Sequence, residues 1–256
     1  MADLRFFLKE IDPQAGTVIF PPHITHQIVH VLRLQPGDEV TVLDGRGKAY
    51  QVCLGALDKE TLQAEILRVG ENPIVLPLRI SLFFPLSKRD KVEWILQKGT
   101  EVGVSAFYPF ISDRSLVQDI TLPDRKMTRW QSIIREAAEQ SGRAILPDFH
   151  TPQNLSSILS AEKGSFRLDA ALVAAVGAGI SPLGLQLDRI LKESSCHALG
   201  LFIGAEGGFS DRELDTFRNA GHPLVSLGDT VLRMETAAIV FPALVLYHSS
   251  IRNLSE

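Results

Sequence analysis

Residues 204–208 read GAEGG, and residues 227–233 read LGDTVLR. Each of these two loops follows a short apolar run and precedes a stretch that we predict to be helical. Glycine adopts positive φ angles and lets the backbone come close to a ligand, because it has no Cβ atom. Ligands of open α/β sheets bind at the carboxyl ends of the strands. The two loops therefore predict a ligand cradle at the open edge of an α/β sheet.

Neither loop carries the signature of a common nucleotide site. The first lacks the GxGxxG pattern of dinucleotide-binding folds, and no Gly-Lys-Ser/Thr follows it as in a P-loop. The turn at Gly177-Ala178-Gly179 comes closer to GxGxxG, but its next glycine, Gly184, arrives too late. A nicotinamide-dependent dehydrogenase is thus not supported, although this turn could still line a site at the sheet edge.

The composition is typical of a soluble chain with two domains. The 256 residues are 45% hydrophobic and 22% charged, as in ordinary globular proteins. The longest apolar stretches, Ala170–Val176 and Ala237–Leu246, are too short or too interrupted to span a bilayer, and the N-terminus has no signal-peptide pattern. Cys53 and Cys196 lie far apart, and the seven histidines lack metal-ligand spacing. We expect a cytoplasmic protein without a metal ion or a membrane contact.

Positive charge is concentrated in the middle of the chain. The net charge is −4, yet residues 76–145 carry 11 basic and 8 acidic side chains. In the predicted helix Lys88–Val102, three lysines border the apolar face, and several arginines follow it. This segment would contribute if the protein contacts a phosphate backbone. A solvated basic surface is the alternative interpretation.

Two hydrophobic patterns divide the chain. Up to residue 70, alternating or β-branched runs such as Glu39–Leu43 and Ala49–Leu54 are separated by Asp-Gly turns. This pattern predicts hairpins that close into a small β-barrel. Residues 71–77 predict a linker. From residue 78 to residue 256, short apolar runs alternate with segments of helical period, which predicts an α/β domain with a mostly parallel sheet covered by helices.

Taken in their order along the chain, the two glycine loops and several shorter sequence segments resemble the RsmE family of small-subunit ribosomal RNA uridine-N3 methyltransferases, in the SPOUT superfamily. The resemblance covers nearly the whole chain. One departure is Ala205, which stands where the family usually has proline and which frees the backbone φ angle. Besides the two glycine loops, the matching segments are Arg5–Phe7, Val31–Arg33, Asp44–Gly47, Lys91–Lys98, Glu101–Val104, Arg114-Ser115, Arg129-Trp130, Glu139–Arg143 and Glu235–Ala237.

The resemblance implies a fold and a cofactor. Residues 1–70 would form a PUA-like β-barrel for RNA recognition, and residues 78–256 a SPOUT α/β domain with a deep trefoil knot. The protein would be a homodimer that acts on 16S ribosomal RNA or the small ribosomal subunit, with S-adenosyl-L-methionine as methyl donor. The cofactor-binding residues would be Val176, Phe202, Ile203, Gly204, Glu206, Gly207, Gly208, Ser226, Leu227, Gly228, Val231, Leu232, Arg233, Glu235, Thr236 and Ala237.

Residues for catalysis and RNA contact follow from the same resemblance. The reaction would need N3 of uridine to lose its proton, which leaves negative charge on the base. Arg233 or Arg143 would stabilise that charge, but neither could be the base, because arginine stays protonated. The RNA-binding residues would be Arg5, Arg33, Arg46, Lys88, Lys91, Lys98, Arg114, Arg129 and Arg143.

Two alternatives stay open at this point. The chain could be a related methyltransferase that acts on another RNA or on a ribose 2′-hydroxyl, although the barrel and the middle motifs argue against it. It could also be a non-catalytic RNA-binding homologue, for which Ala205 gives slight support.

Overall fold

The computed structural model divides the chain into two compact units. It describes residues 4–8, 10–58, 61–71, 78–87, 89–161, 166–177, 180–193 and 196–253. The first unit comprises Met1–Val75 and Arg135–Leu146, and the second comprises Leu76–Ile134 and Pro147–Glu256. The predicted linker at 71–77 lies outside the described residues except for Glu71.

The first unit is built on one five-stranded sheet. The spatial order of its strands is β1-β3-β4-β5-β2, in which β1 and β3 pair parallel and the other neighbours pair antiparallel. A short helix, α1 (Pro22–His26), continues into a π-helical turn at Gln27–Val31. The strands are β1 (Arg5–Phe7), β2 (Thr17–Phe20), β3 (Glu39–Leu43), β4 (Lys48–Asp58) and β5 (Thr61–Glu71).

The hairpin between β3 and β4 confirms one turn that the sequence predicts. Asp44 Oδ1 accepts hydrogen bonds from the N–H groups of Arg46 (2.7 Å) and Lys48 (3.0 Å). Gly45 and Gly47 have φ angles of +73° and +114°, which glycine adopts without a Cβ clash. The Asp-Gly-Arg-Gly sequence therefore closes the turn through its own side chain and its own glycines.

Residues 135–146 belong to the first unit, although the sequence pattern predicts them as part of the second domain. Ala138 and Ala144 pack with Phe7 and Leu43 in one buried cluster. Glu139 Oε1 accepts the N–H of Phe7 at 2.9 Å, and burial raises the pKa of Glu139. Small apolar side chains at the end of a helix thus attach this segment to strands distant in sequence.

The second unit contains an eight-stranded sheet whose recorded pairings are all parallel. The spatial order is β11-β13-β10-β12-β6-β7-β8, and β9 also pairs with β7. This arrangement confirms the predicted α/β class. The strands are β6 (Arg79–Pro85), β7 (Ala106–Ile111), β8 (Asp148–Phe149), β9 (Gln153–Asn154), β10 (Ala170–Ala174), β11 (Ser181–Pro182), β12 (Ala198–Phe202) and β13 (Leu224–Ser226).

Helices cover both faces of this sheet. Successive side chains of a strand point to opposite faces, so Leu82 and Phe84 pack in a core with α2, α3, α5 and α7. Phe83 packs on the other face with α4 and α6. The helices are α2 (Arg89–Val102), α3 (Asp124–Ser141, whose end lies in the first unit), α4 (Leu155–Ser160), α5 (Leu183–Glu193), α6 (Asp211–Asn219) and α7 (Met234–Asn253).

The apolar stretch in the last helix is longer than the sequence reading allows. Within α7, the window Met234–Ile251 has a mean hydropathy of 1.3 and is long and apolar enough to cross a membrane by length and composition alone. The prediction that this stretch is too short was therefore wrong. A core helix meets the same criteria, and Ala238, Phe241 and Val245 of α7 are fully buried against the sheet and its helices.

Candidate functional site

Three connections leave the carboxyl ends of neighbouring parallel strands and meet around one cavity. They are Ala175, Val176, Gly177 and Ile180 after β10, residues 203–210 after β12 and residues 227–233 after β13. The cavity has a volume of about 1080 Å³. The predicted cofactor-binding residues all line it except Phe202 and Thr236. Phe202 is instead buried in the core, where it stacks on Phe83.

The first glycine loop is a tight turn closed on itself. The Gly208 N–H donates to Ala205 O at 2.8 Å, and the φ angle of Gly208 is +71°. A Cβ atom on Gly204 would lie 3.0 Å from the Gly208 backbone and 3.1 Å from Phe209 N. The loop's own backbone therefore leaves little room for a side chain at position 204, whether or not a ligand is bound. Ala205 is accommodated with its side chain buried.

The second glycine loop is shaped by the serine that precedes it. Ser226 Oγ donates to Gly228 O at 2.8 Å and accepts the Gly228 N–H at 3.3 Å. Gly228 has a φ angle of +142°, and a Cβ atom there would meet no heavy atom within 4 Å. Glycine is therefore favoured at this position by its backbone angle, and open space lies beside it.

A shared ammonium group joins the first loop to the start of α7. Lys91 Nζ lies 2.8 Å from Glu206 Oε1 and 3.2 Å from Glu235 Oε2. The second contact is an ion pair without hydrogen-bond alignment. Ser87 Oγ also donates to Glu206 Oε1 at 2.8 Å. The carboxylate of Glu206, a predicted cofactor-binding residue, therefore also binds the segment that begins α2.

Both members of the stronger ion pair stay charged through neutral pH. Burial raises the pKa of Glu206, but the hydrogen bonds from Lys91 and Ser87 outweigh burial and hold that pKa below its usual value. The hydrogen bond to Glu206 raises the pKa of Lys91. Because the pKa of Glu206 is lowered, its ion pair stabilises the folded protein at pH values above the ordinary carboxyl pKa. This stabilisation is lost as the pH falls through the lowered pKa. Because the pKa of Lys91 is raised, its contribution to stability is lost only as the pH rises above the ordinary lysine pKa.

The loop after β7 holds the first glycine loop from another side. Arg114 Nη1 donates to Gly207 O at 2.8 Å. Next to it, the Asp113 N–H donates to Glu213 Oε1 at 2.9 Å. Glu213 also completes a capping box at the start of α6, because Ser210 N donates to its Oε2 and Ser210 Oγ accepts its N–H. The entry to α6 is therefore fixed by a loop almost one hundred residues earlier in the chain.

The residues predicted to bind RNA fall into different environments. Lys91 and Arg114 line the cavity. Lys98 forms an ion pair with Glu101 at 2.7 Å, and the Arg129 guanidinium donates to both carboxylate oxygens of Glu93 at 2.7 and 2.8 Å. In the first unit, Arg33 and Arg46 are exposed, Arg5 is half-buried and packs over Gly142, and Arg143 is buried. Lys88 lies outside the described residues.

The two arginines predicted for catalysis lie in different units. Arg233 is exposed and lines the cavity. Its side chain has no hydrogen bond or ion pair with any residue that the structure describes. Arg143 belongs to the first unit, and burial lowers its pKa to about 10. Of these two arginines, Arg233 is therefore the one that the second unit places at the cavity.

Sequence reasoning missed several charged residues of the cavity. It assigned Lys91 and Arg114 to RNA, and it left out Asp211 and Asp229, which also line the cavity. Asp229 lies within the second glycine loop and Asp211 follows the connection that contains the first, so their position in the sequence was an available signal. Within the described residues, no group of three His, Cys, Asp or Glu side chains is arranged to hold a metal ion.

Comparisons with known proteins agree with this architecture. Residues 75–246 match the family described as RNA methyltransferase domain, and residues 23–67 match the RNA methyltransferase PUA domain. A PUA domain ahead of an RNA methyltransferase domain defines the class of the protein as an RNA methyltransferase.

Relatives of known name narrow the class further. Ribosomal RNA small subunit methyltransferase E of Synechocystis sp. is 35% identical over 88% of this chain and 71% of its own length. The enzyme of the same name from Bacillus subtilis is 28% identical over 96% of this chain and 97% of its own length. The chain belongs to the ribosomal RNA small subunit methyltransferase E family.

Solved structures support the same family. The enzyme of this name from Neisseria gonorrhoeae, bound to S-adenosyl methionine, superposes with a TM-score of 0.81 at 30% identity, covering 95% of this chain and 97% of its own. A methyltransferase from Legionella pneumophila, also in complex with that cofactor, gives a TM-score of 0.82 at 28% identity, covering 96% of this chain and 98% of its own.

We predict that Gly204→Ala destabilises the protein because the added Cβ would press on the Gly208 backbone, which cannot move aside as a side chain could. The free energy of unfolding, measured by chemical denaturation, should fall by about 1–3 kcal/mol. Gly184→Ala in α5 is the matched control, because a Cβ there meets nothing within 4 Å. That variant should be neutral or more stable by up to about 1 kcal/mol. Equal stabilities for the two variants would refute this account of the first loop.

Proposed function

We propose that this chain methylates N3 of a specific uridine in 16S ribosomal RNA, with S-adenosylmethionine as methyl donor. The observation that carries the proposal is the cavity at the carboxyl edge of the parallel sheet, enclosed by the two glycine loops. Family membership gives the reaction class, ribosomal RNA methylation in the small subunit. The substrate places the reaction in the cytoplasm.

The cavity suits the chemical parts of this methyl donor. Ile203, Leu227 and Leu232 supply apolar surface for a purine ring. Glu206 and Glu235 supply negative charge for the sulfonium and ammonium groups. The open space beside Gly228 lets the backbone come close to the ligand. When bound, S-adenosylmethionine supplies a methyl group that is already activated on a positively charged sulfur.

The chain's own task is to position the base and to stabilise the charge on it. N3 of uridine becomes nucleophilic only when its proton leaves, and the negative charge then spreads to O2 and O4. A guanidinium at the cavity can stabilise that charge. Arg233 meets this requirement, since its side chain is exposed and lines the cavity. Arg143, with a pKa of about 10, stays protonated at neutral pH, but it belongs to the first unit.

Arg233→Ala should lower turnover by about 10²–10³-fold, the usual cost of removing one charge-stabilising donor. The dissociation constant for S-adenosylmethionine, measured by calorimetry, should change by less than a few-fold. Arg233→Lys keeps the charge and should retain more activity than Arg233→Ala. Unchanged turnover would rule out the catalytic role, and a loss confined to cofactor affinity would make Arg233 a cofactor-binding residue only.

Backbone strain in the first unit supports an RNA contact by Arg33. Arg33 has a φ angle of +55° and its side chain is exposed. It follows the π-helical turn, at a position where glycine or asparagine is the usual residue. The left-handed conformation costs a non-glycine residue about 1–2 kcal/mol. Strain of this kind persists where a side chain has a function, and an exposed guanidinium suits a phosphate.

Replacing Arg33 should separate stability from RNA binding. Arg33→Gly should leave the free energy of unfolding unchanged or raise it by up to about 1 kcal/mol, because glycine relieves the strain. Affinity for 16S ribosomal RNA should fall, and the slope of log affinity against log salt should drop by about one. Arg33→Ala, which keeps the strain but loses the charge, should bind RNA as weakly and be less stable than Arg33→Gly. RNA affinity equal to that of the unaltered protein would contradict the proposal.

We also infer a knotted chain and a homodimer. Strand β13 lies between β10 and β11 in the sheet, although β10 and β11 come before it in the chain. This insertion of a later strand between two earlier ones supports the knot proposal. Stretching a single molecule from both ends should therefore leave a contour shorter than that of an unknotted chain.

The dimer proposal rests on exposed apolar side chains. Trp94 on α2 and Tyr247 on α7 are 50% and 67% exposed, and the two helices are neighbours. We infer that they belong to one apolar patch, which would mark an association surface, and most homo-oligomers are two-fold dimers. Sedimentation velocity should show a species of two chains, and a monomer at micromolar concentration would contradict the dimer.

A further inference from the structure

We propose that Lys91 is a positioning residue, whose ammonium group ties the first glycine loop to the start of α7 and thereby sets the width of the cofactor cavity. The proposal rests on the function proposed above. It assigns to Lys91 a role different from the RNA contact that the sequence predicts.

The bridge joins three segments that are separate in sequence. Lys91 lies in the first turn of α2, Glu206 in the first glycine loop, and Glu235 in the first turn of α7, directly after the second glycine loop. The nitrogen lies 2.8 Å from one carboxylate and 3.2 Å from the other. The side chains of Lys91 and Glu206 are each 29% exposed and that of Glu235 is 19% exposed. A pair shielded to this degree is screened less than one on the open surface.

The bridge connects two segments that line the cavity. Residues 204–208 are one, and residues 227–233, which lead toward Glu235, are the other. Between them the covalent chain runs through α6 and β13, which does not itself fix the distance between the two loops. Without the ammonium, the carboxylates of Glu206 and Glu235 would repel each other. Lys91 therefore replaces a repulsion between the two loops with two attractions.

The first loop is anchored at two neighbouring residues, Glu206 and Gly207. Ser87 and Lys91 hold the Glu206 carboxylate, and Arg114 holds the Gly207 carbonyl. The Lys91 bridge is the contact that extends from this anchored loop to the start of α7. Removing it should leave the first loop held by Ser87 and Arg114 but should free the start of α7 relative to it.

The same geometry argues against a phosphate contact as the main role of Lys91. A lysine ammonium has three donors, and here two carboxylates already share it. The two negative charges of Glu206 and Glu235 therefore outweigh the one positive charge of Lys91. A phosphate brought close to this cluster would meet two carboxylates as well as one ammonium.

The test compares ligand binding by variants of the full-length protein. Lys91→Met keeps the length of the side chain and removes its charge, and Lys91→Arg restores the charge. Arg218→Met is the matched control, because it breaks a 2.7 Å ion pair with Asp215 on α6 that does not involve the cavity. Calorimetry measures the dissociation constants of S-adenosylmethionine and of S-adenosylhomocysteine, the product that lacks the sulfonium charge.

We expect Lys91→Met to raise the dissociation constant of S-adenosylhomocysteine about tenfold, because the cavity widens. The dissociation constant of S-adenosylmethionine should also rise, but by a smaller factor, because the carboxylates left without the ammonium attract its sulfonium. Lys91→Arg should recover at least part of the affinity, and Arg218→Met should match the unaltered protein. The KM for ribosomal RNA should stay unchanged. Glu235→Gln, which keeps the Lys91–Glu206 contact but weakens the bridge, should also raise both dissociation constants and serves if Lys91→Met fails to fold.

Three results would overturn the proposal. Unchanged affinity for both ligands in Lys91→Met would show that the bridge does not set the cavity. Tighter binding of S-adenosylmethionine alone would show that Lys91 only neutralises carboxylates. A rise confined to the KM for RNA would show a phosphate contact. If the unaltered protein bound neither ligand, the proposed function itself would fail, and this outcome differs from the other three.

Discussion

The parallel alignment of β10, β12 and β13 is the constraint on which the rest of this molecule depends. Parallel strands end at the same edge of a sheet, so the connections that follow them meet there. β10 pairs with both β12 and β13, which brings loops distant in sequence around one cavity. The glycines, the carboxylates and Arg233 line the same cavity only because of this convergence.

Convergence alone would leave flexible loops, and side chains from elsewhere in the second unit hold them. Ser87 and Lys91 bind the first loop from the start of α2, and Arg114 binds it from the loop after β7. The Ser210–Glu213 capping box then fixes the entry to α6. A site arranged in this way before its ligand binds loses less entropy on binding, which is useful for a reaction that depends on alignment.

The elements that the sequence predicts well are those with local causes. Hydrophobic period predicts the longer strands and helices of the second unit, because burial on one or both faces fixes the pattern. The two-residue strands β8, β9 and β11 and the six-residue helix α4 are too short to show a period and were not predicted. The hairpin at Asp44 and the cap at Ser210 are also predictable, since each turn is closed by side chains only a few residues away. The two glycine loops are visible for a similar reason, because Gly208 and Gly228 have backbone angles that favour glycine.

What the sequence does not reveal depends on contacts between distant segments. Nothing near Lys91 indicates that its flexible side chain turns toward Glu206, more than one hundred residues later. The position of β13 between β10 and β11 is also invisible to local rules, which favour unthreaded connections. Residues 135–146 belong to the first unit through small side chains such as Ala138 and Ala144, whose pattern equally suits a helix on the second sheet.

The most direct test of the central claim is the position of the transferred methyl group. Small ribosomal subunits from cells that lack this gene would be incubated with the protein and with S-adenosylmethionine carrying a deuterated methyl group. The 16S ribosomal RNA would then be digested and mapped by mass spectrometry. The account predicts one deuterated N3-methyluridine at a single position. Label on a ribose, on another base or on no nucleotide would contradict it.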